Sequence, residues 1–275
     1  MIARVGLVAA VVLGTLSGVS AQSASPIAIY VPASSTSARD YAIEVDGTPV
    51  TATAVVPGPH ALSLIVLHDA STSMQPVDLE GAAREISRTF RAGDRIRLAS
   101  FADRIVIGST AIVDRASATA AAREVKQLEG ASPLWDAICD SVAALEHADG
   151  LRAIVVFSDG QASANDRGFA DALHAATRAR VIVSVVGMSD RLLRVPSDME
   201  VHGRNDALRR IADETGGEFV ELRSVRSYTP IGKALQELRD RVRLEFVPAV
   251  RNGALHRVSV TARGRKIAEA LRLAF

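Results

Sequence analysis

The chain has 275 residues, 48% hydrophobic and 23% charged, the balance of a globular protein with a sizeable core rather than a disordered one. Lys and Arg total 32 against 31 Asp and Glu, a net charge of +1, so the basic footprint that nucleic-acid binding requires is missing. Its single cysteine, Cys139, excludes an intrachain disulfide and a cysteine-rich zinc site, and in a helical context it reads as a small buried hydrophobe.

At the N-terminus Arg4 precedes an apolar run from Val5 to Leu16, followed by the small residues Val19-Ser20-Ala21. This is the three-part layout of a secretory signal peptide, with cleavage expected before Gln22. The run is shorter than the roughly 20 apolar residues a spanning helix needs, and no later stretch is both long and uncharged. The expectation is an exported protein, periplasmic or extracellular, with no stable membrane span after cleavage; the alternative is an uncleaved anchor. Gln22 to Pro26 and Ser34 to Ser37 read as tether and loop. Tyr41 to Val45, Asp46-Gly47 and Val50 to Val56 read as strands around a hairpin turn.

Strand-like and helix-like segments then alternate. Leu62 to Leu67 is an apolar strand, Asp78 to Phe90 an amphipathic helix, and Arg95 to Phe101 a strand. Ile105-Val106-Ile107 follows after so short a connection that only antiparallel pairing is possible. Helices at Ala116 to Leu128 and Leu134 to His147 lead to the strand Ala153 to Phe157. The rhythm repeats with a helix at Gly168 to Arg178, a strand at Val181 to Val186, a helix at Asp206 to Glu214, a strand at Glu218 to Leu222, and a last helix at Pro230 to Arg241. Strands separated in this way predict an α/β fold, a doubly wound, mostly parallel sheet with one antiparallel edge strand. Val242 to Val247, Leu255 to Ala262 and the run to Phe275 are strands without helices. With the N-terminal strands they are expected to form a small β module, since an isolated hairpin is barely stable in water. The expected organisation is residues 1–21 as signal peptide, 22–57 as tether and first part of the β module, 58–242 as the α/β domain, and 243–275 as the remaining β strands.

Functional groups of an open parallel sheet gather at the carboxyl ends of its strands. There the first core strand ends in Asp69-Ala70-Ser71-Thr72-Ser73, an Asp-x-Ser-x-Ser pattern that can turn two hydroxyls and a carboxylate toward one point, as hard cations prefer. Alone, it could equally be a serine-rich turn bonding its own backbone. Gly130-Ala131-Ser132-Pro133 at a loop-to-helix junction and Phe157-Ser158-Asp159-Gly160 after a buried strand add a second hydroxyl loop and a second carboxylate.

With these three loops the chain resembles the von Willebrand factor A family across roughly Ala61 to Arg241, and within it bacterial exported proteins that carry a related domain. The hairpin at Asp40 to Gly47, Gly93-Asp94-Arg95 and Glu214-Thr215-Gly216-Gly217 are further echoes. The resemblance implies a metal-ion-dependent adhesion site with Asp69, Ser71, Ser73, Ser132 and Asp159 as ligands of Mg²⁺, with Mn²⁺ or Ca²⁺ as substitutes. It departs from the family pattern in Ser132, which replaces a threonine, in Thr72, where glycine is frequent, and in His68 before the first aspartate.

Three neutral hydroxyls and two carboxylates would leave Mg²⁺ with a replaceable water, so the implied function is a metal-dependent protein-binding module, for adhesion or scaffolding, that captures an Asp or Glu of a protein partner. The alternatives are a scaffold with an unused site and, less favoured, a metal-dependent hydrolase. None of the six histidines forms His-Glu-x-x-His, and neither a Gly-x-Ser-x-Gly elbow nor a phosphate-cradling Gly-rich Lys-Ser/Thr loop is present. No catalytic residue is therefore assigned. Asp136 reads as a helix-start acid facing the N-terminal dipole, and His68 as a packing residue.

Overall fold

The structure is a computed structural model and describes residues 25–74, 79–125, 130–188, 204–222 and 229–275. The expected signal peptide lies outside the described residues, as do the ends of two expected helices, Asp78 of the first and Leu128 of the second.

In chain order the elements are β1 (Ile27–Val31), a 3₁₀ turn (Ala38–Asp40), β2 (Tyr41–Val45), β3 (Thr48–Val50), β4 (Ala52–Val56), β5 (Leu62–Asp69), α1 (Leu79–Thr89), β6 (Arg95–Phe101) and β7 (Ile105–Ile107). There follow α2 (Arg115–Glu124), α3 (Leu134–Leu145), β8 (Leu151–Ser158), α4 (Phe169–Ala179), β9 (Ile182–Met188), α5 (Arg204–Thr215), β10 (Phe219–Leu222) and α6 (Thr229–Arg239), then β11 (Val242–Phe246), β12 (Leu255–Ala262) and β13 (Arg265–Ala274).

The central sheet has the order β10-β9-β8-β5-β6-β7, parallel except for β7, which pairs antiparallel with β6. All eight residues of β5 are buried, because this strand has neighbours on both edges and helices on both faces. Side-chain alternation divides them between two cores. Leu62, Leu64 and Val66 face α1, α2 and α6, while Ile65 and Leu67 face α3, α4 and α5. His68 shares the first face, packed among Val66, Leu79, Leu98, Phe157 and Ile231, and burial pushes its pKa down to about 4. It is thus a neutral packing residue at ordinary pH. Cys139 is buried in the second core, and burial raises its thiol pKa.

The remaining strands make two antiparallel sheets, β1-β11-β4 and β13-β12-β2-β3. Their inner faces share one core in which Ile27, Ile29, Leu244 and Phe246 meet Ile43, Val258, Val260 and Leu271. This β module is a sandwich, and β1 is a strand that the sequence reading did not place. The run expected as one strand from Val50 to Val56 is split: β3 returns beside β2 through a turn in which Asp46 and Gly47 both have positive φ, while β4 crosses to the other sheet and pairs with β11. β11 and β12, which flank the Asn252-Gly253 turn, also belong to different sheets. That turn binds the C-terminal residue, with Asn252 and Gly253 N–H donating to Phe275 O.

Two buried arginines fix the base of the α/β domain. Asp94 accepts from the Leu62 and Arg91 amides, both at 3.0 Å, and forms an ion pair with Arg239 in which both side chains are 1% exposed. This joins the ends of α1 and α6 to the start of β5. Arg241 is buried two residues on and donates to Tyr30 O of β1 and Gly216 O after α5, tying the sandwich to the domain. Gly217 lies so close to β9 that a Cβ there would sit 2.0 Å from Val183 O, so only glycine fits.

Candidate metal centre

β5 lies between β6 and β8, because the chain leaves β5 toward one side of the sheet and returns through α2 and α3 to the other. Such a reversal opens a crevice at the carboxyl ends of the strands, where doubly wound proteins bind ligands. Asp69 closes β5 and Asp159 directly follows β8, so the topology alone brings the two carboxylates to that crevice.

Both aspartates are fully buried, and Ser132 and Ser71 are 1% and 5% exposed. Asp69 Oδ1 accepts from the Ser71 amide at 3.0 Å. Its Oδ2 accepts from Ser132 Oγ at 3.1 Å and from Ser158 Oγ at 2.7 Å. Ser71 Oγ and Ser73 Oγ are 3.2 Å apart, and the Gln161 amide donates to Asp159 Oδ1 at 2.9 Å. Burial pushes the Asp69 pKa up to about 6, opposed by its hydrogen bonds from Ser71 and Ser158 and reinforced by the charge of Asp159. Of the residues expected from the sequence, Asp69, Ser71, Ser73 and Ser132 form one bonded chain, and Asp159 acts on it through its charge.

The loops that present these groups are bonded to one another. Thr72 donates from its amide at 3.2 Å and from Oγ1 at 2.9 Å to Gly130 O. Its departure from glycine thus adds a bridge between the first loop and the one bearing Ser132. Gly130 has φ +132°, a conformation reserved for glycine, and a Cβ there would come within 3.1 Å of Asp103 Cβ. Ser132 is held from both sides by Ser163, whose amide donates to Ser132 O at 2.8 Å and whose Oγ accepts from Ser132 N at 3.0 Å.

Asp136 stands in the first turn of α3, as expected, and has a further task. Its carboxylate accepts from the Asp166 and Arg167 amides and from Arg167 Nε at 2.8, 3.0 and 2.7 Å. Burial opposes its charge, but these bonds outweigh burial and hold its pKa below the ordinary value. Asn165 Oδ1 accepts from Trp135 N at 2.8 Å, so the loop after β8 is pinned to the start of α3 by two side chains. Ser158, Ser163, Asn165 and Arg167 are the supporting residues that the sequence reading missed. Ser158 was within sight there, since it closes the buried strand directly before Asp159.

Ser71, Ser73, Ser132 and Gln161 line an open depression of about 410 Å³, while the two carboxylates of the donor set, Asp69 and Asp159, are fully buried and do not line it. Among the described residues no group of three or more His, Cys, Asp or Glu side chains is placed to hold a metal. An all-oxygen set with few charges fits a hard divalent cation, and such a cation would compensate the charge that burial disfavours on Asp69.

Comparison with known proteins bears on the fold. In fold the chain is similar to a von Willebrand factor type A protein from Catenulispora acidiphila (14% identity, 90% of this chain and 74% of that one, TM-score 0.50). It is also similar to proximal thread matrix protein 1 from the mussel byssus (14% identity, 76% and 49%, TM-score 0.51). A further solved structure is BatB from Bacteroides thetaiotaomicron (21% identity, 65% and 98%, TM-score 0.48). A search of curated proteins gave no match. The model of the von Willebrand factor type A domain matches residues 63–241, from the first core strand to the end of the last helix, and the chain belongs to that family.

Proposed function

We propose that the protein is exported and works as a divalent-metal-dependent binding module, in which Asp69, Ser71, Ser73, Ser132 and Asp159 hold Mg²⁺ and a protein partner supplies an Asp or Glu carboxylate. Domains of this family are generally interaction modules rather than enzymes, and commonly bind a divalent metal at an apical motif of this kind. The observation that carries the reading is the buried Asp69 carboxylate, on which the hydroxyls of Ser132 from one loop and Ser158 from the end of β8 converge. Mg²⁺ favours oxygen ligands and keeps exchangeable waters, so it would supply an electrophilic point for the partner's carboxylate. The chain's own part is to bury the ligands, orient the hydroxyls through the Ser163 and Asp136 contacts, and leave the depression open. The sequence Arg4 to Ala21 supports export, in the periplasm or outside the cell.

The test is capture of partners from exported material by the mature protein with Mg²⁺ and after chelation. Capture by wild type should need metal, Asp159→Ala should lose it while keeping its circular dichroism spectrum, and Ser132→Thr should retain it. Equal, chelator-insensitive capture by Asp159→Ala would point instead to a scaffold that binds elsewhere.

A further inference from the structure

At the other end of the central sheet, where β8 and β9 begin, the α/β domain and the sandwich enclose a cleft of about 350 Å³. Four arginines line it, Arg152, Arg180, Arg243 and Arg272, with no acidic residue in its wall. Arg243 and Arg272 are paired outside it with Glu245 and Glu214. The other two have no acidic partner among the described residues: Arg152 donates to the Glu146 carbonyl, and the Arg180 guanidinium makes no hydrogen bond. The rest of the wall is mostly apolar, with Ile29, Leu271 and Leu273 of the sandwich and Val181 and Ile182 of the domain, joined by Tyr30, Thr177 and Thr215.

Arg180 is an unusual residue for its position. It caps α4 with φ 54°, the left-handed conformation that helix ends usually give to glycine. Its charge is also disfavoured there: burial lowers its pKa, and Arg152 and Arg251 act in the same direction. Like charges gathered around a partly desolvated cleft await an anion, and guanidinium forks match the paired oxygens of phosphate and carboxylate.

We propose that this cleft is a binding site for a small ligand with a compact oxyanion, phosphate or carboxylate, on an apolar body, the anion held by Arg152 and Arg180 and the body lying against Ile29, Leu271 and Leu273. The volume lies at the lower end for small-molecule sites, roughly 300–1,000 Å³, so the ligand is small. The site is independent of the apical cluster, because no ligand of that cluster lines it.

The experiment is calorimetric titration of the mature protein, stripped of metal and freed of chelator, with hexyl phosphate, hexanoate and the neutral hexanol. Saturable one-to-one binding of either anion, at least tenfold tighter than hexanol, is expected, and the preferred anion identifies the class. Arg152→Ala/Arg180→Ala should weaken it at least tenfold with an unchanged or raised Tm, because repulsion is relieved. Arg180→Lys should fall between, keeping charge but losing the fork. Absence of saturable anion binding, equal binding of hexanol, undiminished binding by the double variant, or a lowered Tm showing that these arginines serve the fold would each overturn the proposal.

Discussion

Asp69 is held where its charge is disfavoured, buried at the tip of β5 with its pKa pushed up to about 6 and Asp159 nearby. A dication would reverse the sign of that local cost. Mg²⁺ at ten times its dissociation constant should therefore raise stability by roughly 1.4 kcal/mol, since only the folded chain gathers ligands from three loops. Asp159→Ala should melt at or slightly above the wild-type temperature without metal and lose the Mg²⁺ response; thermal melts with Mg²⁺ and chelator measure both. At this scale the sequence was informative about what stands in the crevice, because Asp-x-Ser-x-Ser and Asp159 are local motifs at strand ends and Ser132 one at a loop-to-helix junction. It said little about what supports them. Ser163 reaches Ser132 and Arg167 reaches Asp136 across 31 residues of chain, distances that leave no local pattern.

Among the elements, α2 depends on a carboxylate that is easily titrated in isolation. Glu124 at its end accepts from the Ser109 amide and hydroxyl and from the Thr110 amide, and these bonds lower its pKa from the ordinary 4.5 to about 2. A depressed folded pKa means that the unfolded chain takes up the proton first. The contribution is complete above the ordinary pKa and is lost as pH falls toward about 2. Glu124→Gln should thus melt below wild type near neutrality, and the gap should narrow as pH falls from about 5 to about 3. A gap that stays constant over that range would show that the carboxylate's charge is immaterial. The central-sheet elements were legible because hydrophobic runs and helical periods alternate at regular length. Of the sandwich strands, β2, β11, β12 and β13 were legible too, but β1 was not, because it follows a Ser/Ala-rich stretch and takes its register from β11, more than 200 residues away, as in Ile27 opposite Phe246.

For the molecule as a whole, the Asp94–Arg239 pair at the base of the sheet carries more weight than any exposed ion pair. Arg239→Met leaves a buried carboxylate without its counter-charge and should cost about 3–5 kcal/mol. Asp94→Asn added to Arg239→Met should recover part of that loss, because the orphaned charge is removed with its partner. Urea unfolding of both variants measures this, and strictly additive losses would contradict it.

The sandwich is also interrupted by the domain it supports. β4 delivers the chain into the α/β domain and β11 receives it back, yet the two are paired neighbours with Arg243 opposite Val56. While the α/β domain is folded, it acts as a rigid clasp that holds β4 and β11 in register. If it melts, the same pair must close a floppy loop of residues 57–242, an entropic penalty of roughly 5 kcal/mol for loops of a hundred residues or more. The sandwich cannot readily outlive its guest. Scanning calorimetry should accordingly show one cooperative transition, and loosening the base through Arg239→Met should bring down both layers together; two well-separated transitions would mean that the host sheet closes without help.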